Sequence, residues 1–180
     1  MDFVECFRLL AGRLREEIVV TSAGNCSELW WEITRESERV FYLDASMSLA
    51  SLFAAGIALG NSRTVVALSG DGAFCMNPGM LMVERQLSLP NLKHFLVSNR
   101  CYGSTNELPM PFSGHIDYAA TARAAGIERV YAFATLEGLG HARLVHRGRF
   151  YDDNTGHWLA SMAKGQQEVG HARERISSFR

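Results

Sequence analysis

Residues 63–77 read RTVVALSGDGAFCMN: a run of β-favouring apolar residues breaks off at Gly70-Asp71-Gly72. A second buried-type run, LKHFLVSN over residues 92–99, ends on Asn99, 28 residues after Asp71. Both runs are short, continuous and rich in β-branched and aromatic residues, the pattern of strands covered on both faces. In an open parallel sheet, ligands bind beyond the carboxyl ends of the strands. Two neighbouring strands would then aim a carboxylate and an amide oxygen into one crevice. That donor set, with a backbone carbonyl nearby, suits a hard cation such as Mg²⁺. The flanking glycines let backbone N–H groups approach phosphate oxygens. The residues therefore point to a Mg²⁺-bound diphosphate. Gly-Asp-Gly alone is a common turn; its pairing with Asn99 gives it meaning.

The rest of the chain extends the same pattern. Phe3, Phe7, Leu10 and Leu14 recur at helical spacing, predicting a helix over residues 3–15. Strands are expected at 17–24, 39–46 and 128–135, and helices at 27–37, 49–59 and 117–126. Asn77 and Pro78 predict a helix start that runs to Leu87. Alternating strands and helices imply an α/β fold, a three-layer α/β/α sandwich around a mostly parallel sheet. The 180 residues suffice for one domain, and the net charge of −1 gives no ground for a nucleic-acid partner. Cys6, Cys26, Cys75 and Cys101 show no CxxC spacing, which speaks against zinc or a disulfide framework. With no signal-peptide pattern and no apolar run of membrane-spanning length, a cytoplasmic location away from the membrane is expected. Residues 141–180 differ in kind. They hold four of the six histidines and seven Lys/Arg against four Asp/Glu. They read as a divergent tail without a strand, with helical turns at most over 157–163, so the domain is expected to span 1–140.

The stretches GDGAFCMN and SNRCYGS resemble the thiamin-diphosphate fingerprint: GDG, some two dozen residues, then Asn. VTSAGNCSELW, FYLDASMSLASLFAAGIALG and RTVVALSGDG look like the diphosphate-binding (PP) domain of thiamin-diphosphate-dependent 2-oxo acid decarboxylases. The likeness is strongest to the sulfopyruvate and phosphonopyruvate decarboxylases and covers about residues 1–138. It implies thiamin diphosphate and Mg²⁺ as cofactors. It would make Asp71, the Asn99 side chain and the Cys101 carbonyl the metal ligands. Gly70, Gly72 and Ala73 would lie along the diphosphate, with Gly24 and Asn25 on its far side and Tyr102 beside it. Met47 matches the apolar prop that bends the cofactor, and the Ala45 carbonyl would receive the aminopyrimidine's amino group. His94 and His115 are acid/base candidates by residue type alone. Lone histidines are more often structural, and Met47 without its context reads as core.

The chain also departs from the pattern. Relatives usually read Gly-Ser-Met-Gly where Ala45-Ser46-Met47-Ser48 stands, and Gly-Gly-Gln where Asn106-Glu107-Leu108 stands. The glutamate that activates the cofactor comes, in the family, from a separate pyrimidine-binding domain, for which this chain has no room. The resemblance thus implies a hetero-oligomer whose active site forms with a pyrimidine-domain subunit and takes a small 2-oxo acid. No catalytic residue is assigned within this chain. A carboligase or oxidoreductase subunit on the same cofactor, and a non-catalytic domain of the same fold, are the alternatives.

Overall fold

The computed structural model describes residues 2–112, 114–141 and 156–161. In chain order the elements are α1 (Phe3–Arg13), β1 (Ile18–Ser22), α2 (Asn25–Thr34), β2 (Val40–Leu43), α3 (Ala50–Leu59) and β3 (Val65–Gly70). There follow α4 (Asp71–Met76), α5 (Met80–Leu87), β4 (Leu92–Ser98), β5 (Cys101–Tyr102) and β6 (Leu108–Pro109). The last are α6 (Tyr118–Ala124), β7 (Arg129–Phe133), α7 (Leu136–His141) and β8 (Gly156–Ser161). Among the described residues no helix is long and apolar enough to cross a membrane.

Six strands pair in the order β2-β1-β3-β4-β8-β7, every pair parallel, while β5 and β6 form a small antiparallel ribbon. Side chains alternate across a strand, so each central strand feeds two cores. Val19, Val66, Leu68, Phe95 and Val97 meet Phe7, Leu10, Leu29 and Trp30 of α1 and α2 on one face. Ile18, Val20, Val65 and Ala67 meet the alanines of α3 on the other. Leu96 and Val130 meet Phe74, Met80, Leu81 and Ala122 further along that second face. This is the three-layer α/β/α architecture expected. The alanines of α3 have little side chain to hold the helix away from the sheet, so it packs closely on β1 and β3.

The structure differs from the sequence reading in three places. Gly70-Asp71-Gly72 is not a loop: Asp71 opens α4, a helix that its two glycines disguise, since glycine costs about 1 kcal/mol in a helix. Asn77 ends α4 rather than capping the next helix, which starts at Met80 with no side-chain cap. Residues 156–161 are a strand, not helical turns, and it lies inside the sheet. There it pairs Phe95–Ser98 with Trp158–Ser161 on one side, and Arg129–Phe133 with Gly156–Ala160 on the other. A strand in that slot satisfies backbone groups of both β4 and β7 that would otherwise lack partners. That need comes from the sheet and is invisible in the local composition of the segment.

Candidate functional site

The strand order reverses at β1: β2 lies on one side of it and β3 on the other. Beyond the carboxyl ends of the strands at this switch point, open α/β sheets bind their ligands. A cavity of about 40 Å³ lies there, walled by the turns that follow β1, β3 and β4. Asn25, Met47, Gly70, Asp71, Gly72, Ala73, Asn99, Cys101 and Tyr102 all line it, with Phe3, Gly103 and Ser104 closing the wall. Gly24 and Ala45 do not line it. Gly24 is the N-cap of α2 at φ 82°, beside the Ser104 side chain. Ala45 is exposed in the turn after β2.

Asp71 is 1% exposed and, among the described residues, the only carboxylate in the wall. Its Oδ2 accepts hydrogen bonds from Ser98 Oγ (2.7 Å) and the Arg100 N–H (2.7 Å), and its Oδ1 accepts one from the Gly72 N–H (2.9 Å). Burial pushes its pKa above the ordinary aspartate value, and these three donors pull it back. Asn99 Oδ1 accepts from the Cys101 N–H (3.2 Å), which folds the turn after β4 back on itself. Arg100, between them, is held at φ 62°.

The turn closes tightly over the cavity floor. A Cβ on Gly72 would lie 2.8 Å from Tyr102 Cδ1 and 3.3 Å from Met47 Cε, and one on Gly103 would collide with the Asn25 amide. Ser22 Oγ donates to the Met47 carbonyl, tying the turn after β2 to the end of β1. Neither Ala45 nor Ser48 has a positive φ, so the side chains that stand where relatives carry glycine meet no left-handed strain. Cys26 lines the same wall, its thiol pushed up to about 12 by burial first and by Asp71 second. The Cys101 thiol is pushed up to about 11, also by burial and then by Asp71. Both stay protonated and are poor nucleophiles at neutral pH.

Neither candidate histidine reaches the cavity. His115 is exposed on the loop before α6. His94 is buried in mid-β4, its Nδ1 3.1 Å from Glu84 Oε1. His146 and His171 lie outside the described residues. Sequence reasoning missed Ser98 and Gly103; a hydroxyl placed directly before the asparagine was the available signal for Ser98.

These residues fit a phosphorylated cofactor with a hard cation. Both α2 and α4 begin in the wall without an N-cap side-chain hydrogen bond, so their first-turn N–H groups, apart from that of Gly72, which donates to Asp71, are open to anionic oxygens. Asp71, Asn99 and the nearby carbonyls are oxygen donors, and the close approach at Gly72 and Gly103 leaves no room for side chains. The class defined is thus a diphosphate-binding, doubly wound α/β domain.

Comparison with known proteins carries this further. Residues 24–146 match the family described as thiamine pyrophosphate enzyme, C-terminal TPP binding domain. The chain is 36% identical over 126 residues to the sulfopyruvate decarboxylase subunit beta of Methanothermobacter thermautotrophicus, covering 70% of this chain and 67% of that subunit. It is 35% identical over 131 residues to the sulfopyruvate decarboxylase of Methanosarcina acetivorans, covering 72% of this chain and 33% of that protein. A phosphonopyruvate decarboxylase of Streptomyces viridochromogenes is 31% identical over 135 residues, with 75% of this chain and 34% of that protein covered. Benzoylformate decarboxylase from Polynucleobacter necessarius shares the fold at a TM-score of 0.72 and 20% identity, over 92% of this chain and 34% of its own. The chain belongs to the thiamine pyrophosphate enzymes and is their C-terminal TPP-binding domain. Thiamin diphosphate is the cofactor of that domain, and the homologues that name a reaction are decarboxylases. The chain spans about two thirds of the beta subunit and about one third of the longer relatives.

Proposed function

We propose that this chain is the diphosphate- and Mg²⁺-binding subunit of a thiamin-diphosphate-dependent decarboxylase. Its substrate would be a small acidic 2-oxo acid of the sulfopyruvate or phosphonopyruvate kind, and it would act only with a pyrimidine-domain partner. The observation that carries this reading is the buried Asp71, set beside Asn99 and between two uncapped helix starts at the switch point. Asp71, the Asn99 side chain and the Cys101 carbonyl would hold Mg²⁺. The N–H groups at the starts of α2 and α4, from Gly24, Asn25 and Ala73, would hold the diphosphate oxygens, with Gly72 beside them. Met47 would support the bend of the cofactor, and the Ala45 carbonyl would accept the amino group of its pyrimidine. When bound, thiamin diphosphate supplies the electron sink that takes up the electrons released with CO₂.

Three observations support the partner. Among the described residues the cavity wall contains no glutamate, so in this reading the proton transfer that activates the cofactor falls to another chain. Leu49 at the N-cap of α3, Phe53 within it, and Met76, Met82 and Val83 of α4 and α5 are exposed apolar side chains, the kind of surface that marks an interaction site when contiguous. The relative from Methanothermobacter thermautotrophicus is itself named as a subunit. The test is calorimetric titration of thiamin diphosphate with Mg²⁺, with the chain alone and with a pyrimidine-domain subunit. CO₂ release from sulfopyruvate and phosphonopyruvate is measured alongside. Binding that requires Mg²⁺, is lost in Asp71→Ala and tightens with partner is expected. Decarboxylation by the chain alone would refute the partner requirement.

A further inference from the structure

Ser98 stands behind the cavity wall, against Asp71. Ser98 is 1% exposed at the end of β4, and Tyr118, at the start of α6, is 7% exposed. Ser98 Oγ donates to Asp71 Oδ2 at 2.7 Å. The Tyr118 hydroxyl lies 4.0 Å from Cys75 Sγ, and its ring packs edge-on against Phe74 of α4. A serine hydroxyl has one proton and a carboxylate only accepts, so that proton goes to Asp71.

The same count selects one oxygen of Asp71. Oδ2 receives Ser98 Oγ and the Arg100 N–H, which fills both of its lone pairs. Oδ1 receives only the Gly72 N–H and keeps one lone pair open. We infer that Ser98 is a positioning residue that fixes the Asp71 carboxylate so that Oδ1 faces the cation. This rests on the reading of Asp71 as a metal ligand. Mg²⁺ demands near-ideal octahedral geometry, whereas Ca²⁺ accepts a looser and larger set of oxygens. A carboxylate free to rotate therefore loses Mg²⁺ before it loses Ca²⁺.

The experiment is calorimetric titration of thiamin diphosphate into the full chain with Mg²⁺ and, separately, with Ca²⁺. It uses wild type, Ser98→Ala, Ser98→Thr and Asp71→Ala, each with its thermal unfolding midpoint. Ser98→Ala should weaken Mg²⁺-dependent binding by about 10–100-fold, the usual effect of losing a partner of a metal ligand. Ca²⁺-dependent binding should fall less, so the Mg²⁺/Ca²⁺ preference shifts toward Ca²⁺. Ser98→Thr, which keeps the hydroxyl, should restore it. A merely destabilised variant would weaken both cations alike, and that result overturns the inference. So does a Ser98→Ala variant that binds like wild type while Asp71→Ala is dead. Asp71→Ala binding like wild type, or wild type binding with neither cation, overturns the metal-ligand reading itself.

Discussion

Substituting Gly72 by alanine separates the role of that residue in the helix from its role in the cavity. Gly72 lies in α4 and has no positive φ, so the backbone accepts a side chain. Helix propensity alone favours alanine there by about 1 kcal/mol. The added Cβ would lie 2.8 and 3.0 Å from two carbons of the Tyr102 ring and 3.3 Å from Met47 Cε. Carbon atoms pack at about 3.5–4.0 Å, so the ring must retreat. Overpacking of this kind costs about 1–3 kcal/mol. The net change is a loss of up to about 2 kcal/mol, or a drop of up to about 8 °C in unfolding midpoint for a chain of this size. Gly12→Ala and Gly56→Ala are the controls: both residues are helical with nothing within 4 Å of the new methyl. Each should raise the midpoint by about 2–4 °C. Because Tyr102 and Met47 wall the same cavity, Gly72→Ala should also weaken thiamin diphosphate binding at least about tenfold, equal to about 1.4 kcal/mol. The assays are differential scanning fluorimetry and calorimetric titration. A Gly72→Ala variant whose midpoint rises like the controls, with unchanged affinity, would refute the reasoning.

Removing residues 141–180 deletes β8 from between β4 and β7, and should abolish cooperative urea unfolding; a truncated chain with a wild-type transition would show that the strand adds nothing. Burial raises the Asp71 pKa in the folded chain, so the contribution of this group to stability is present below its ordinary value and is lost as pH rises through the raised one. Urea titrations of the cofactor-free chain should therefore show wild type gaining on Asp71→Ala as pH falls through the carboxylate range, and a gain on raising pH would contradict this. Iodoacetamide at neutral pH, followed by mass spectrometry, should label half-buried Cys75 first and spare Cys26 and Cys101, whose thiols are buried and pushed up to about 12 and 11; early labelling of either buried thiol would count against the packed wall. Glu107 is held at φ 55°, so Glu107→Gly should raise stability by about 1 kcal/mol, and a lowered urea midpoint would show that the side chain holds the turn.

The strands were legible because their signal is local. The apolar runs at 18–22, 65–70 and 92–98 appear where the residues place them, and the crevice between Gly70 and Asn99 follows from parallel topology. Asp71 was found, but its setting was not. Two glycines hid a helix start, and the missing side-chain cap that hides it is also what leaves N–H groups open to a ligand. β8 escaped because its place is set by what β4 and β7 lack, a demand arising some sixty residues away from it in β4. Ser98 escaped for a similar reason: a serine before an asparagine says nothing until Asp71, 27 residues earlier, is brought to its hydroxyl. His94 looked like chemistry and is a buried partner of Glu84.

The two ends of the crevice are built on different principles. The end proposed to hold the cation and diphosphate is made of backbone N–H groups, one carboxylate and one amide, all fixed by rigid elements and by hydrogen bonds inside the domain. The loop beyond it is held under strain. Arg100, Asn106, Glu107 and Phe112 all have positive φ, each at a cost of about 1–2 kcal/mol for a side chain that is not glycine. Relatives carry Gly-Gly where Asn106-Glu107 stands, so the left-handed backbone fits their pattern while two side chains are added to it. Strain of this kind persists only where the surrounding structure fixes it, and it gathers at ligand-contacting loops. The added Glu107 carboxylate raises the Cys101 thiol pKa, after burial and Asp71, which puts a negative charge near the cavity wall. Under the proposed function, an acidic 2-oxo acid substrate would meet that charge. Substrate selectivity would then turn on residues 106–107 and cofactor retention on Asp71 and the residues behind it.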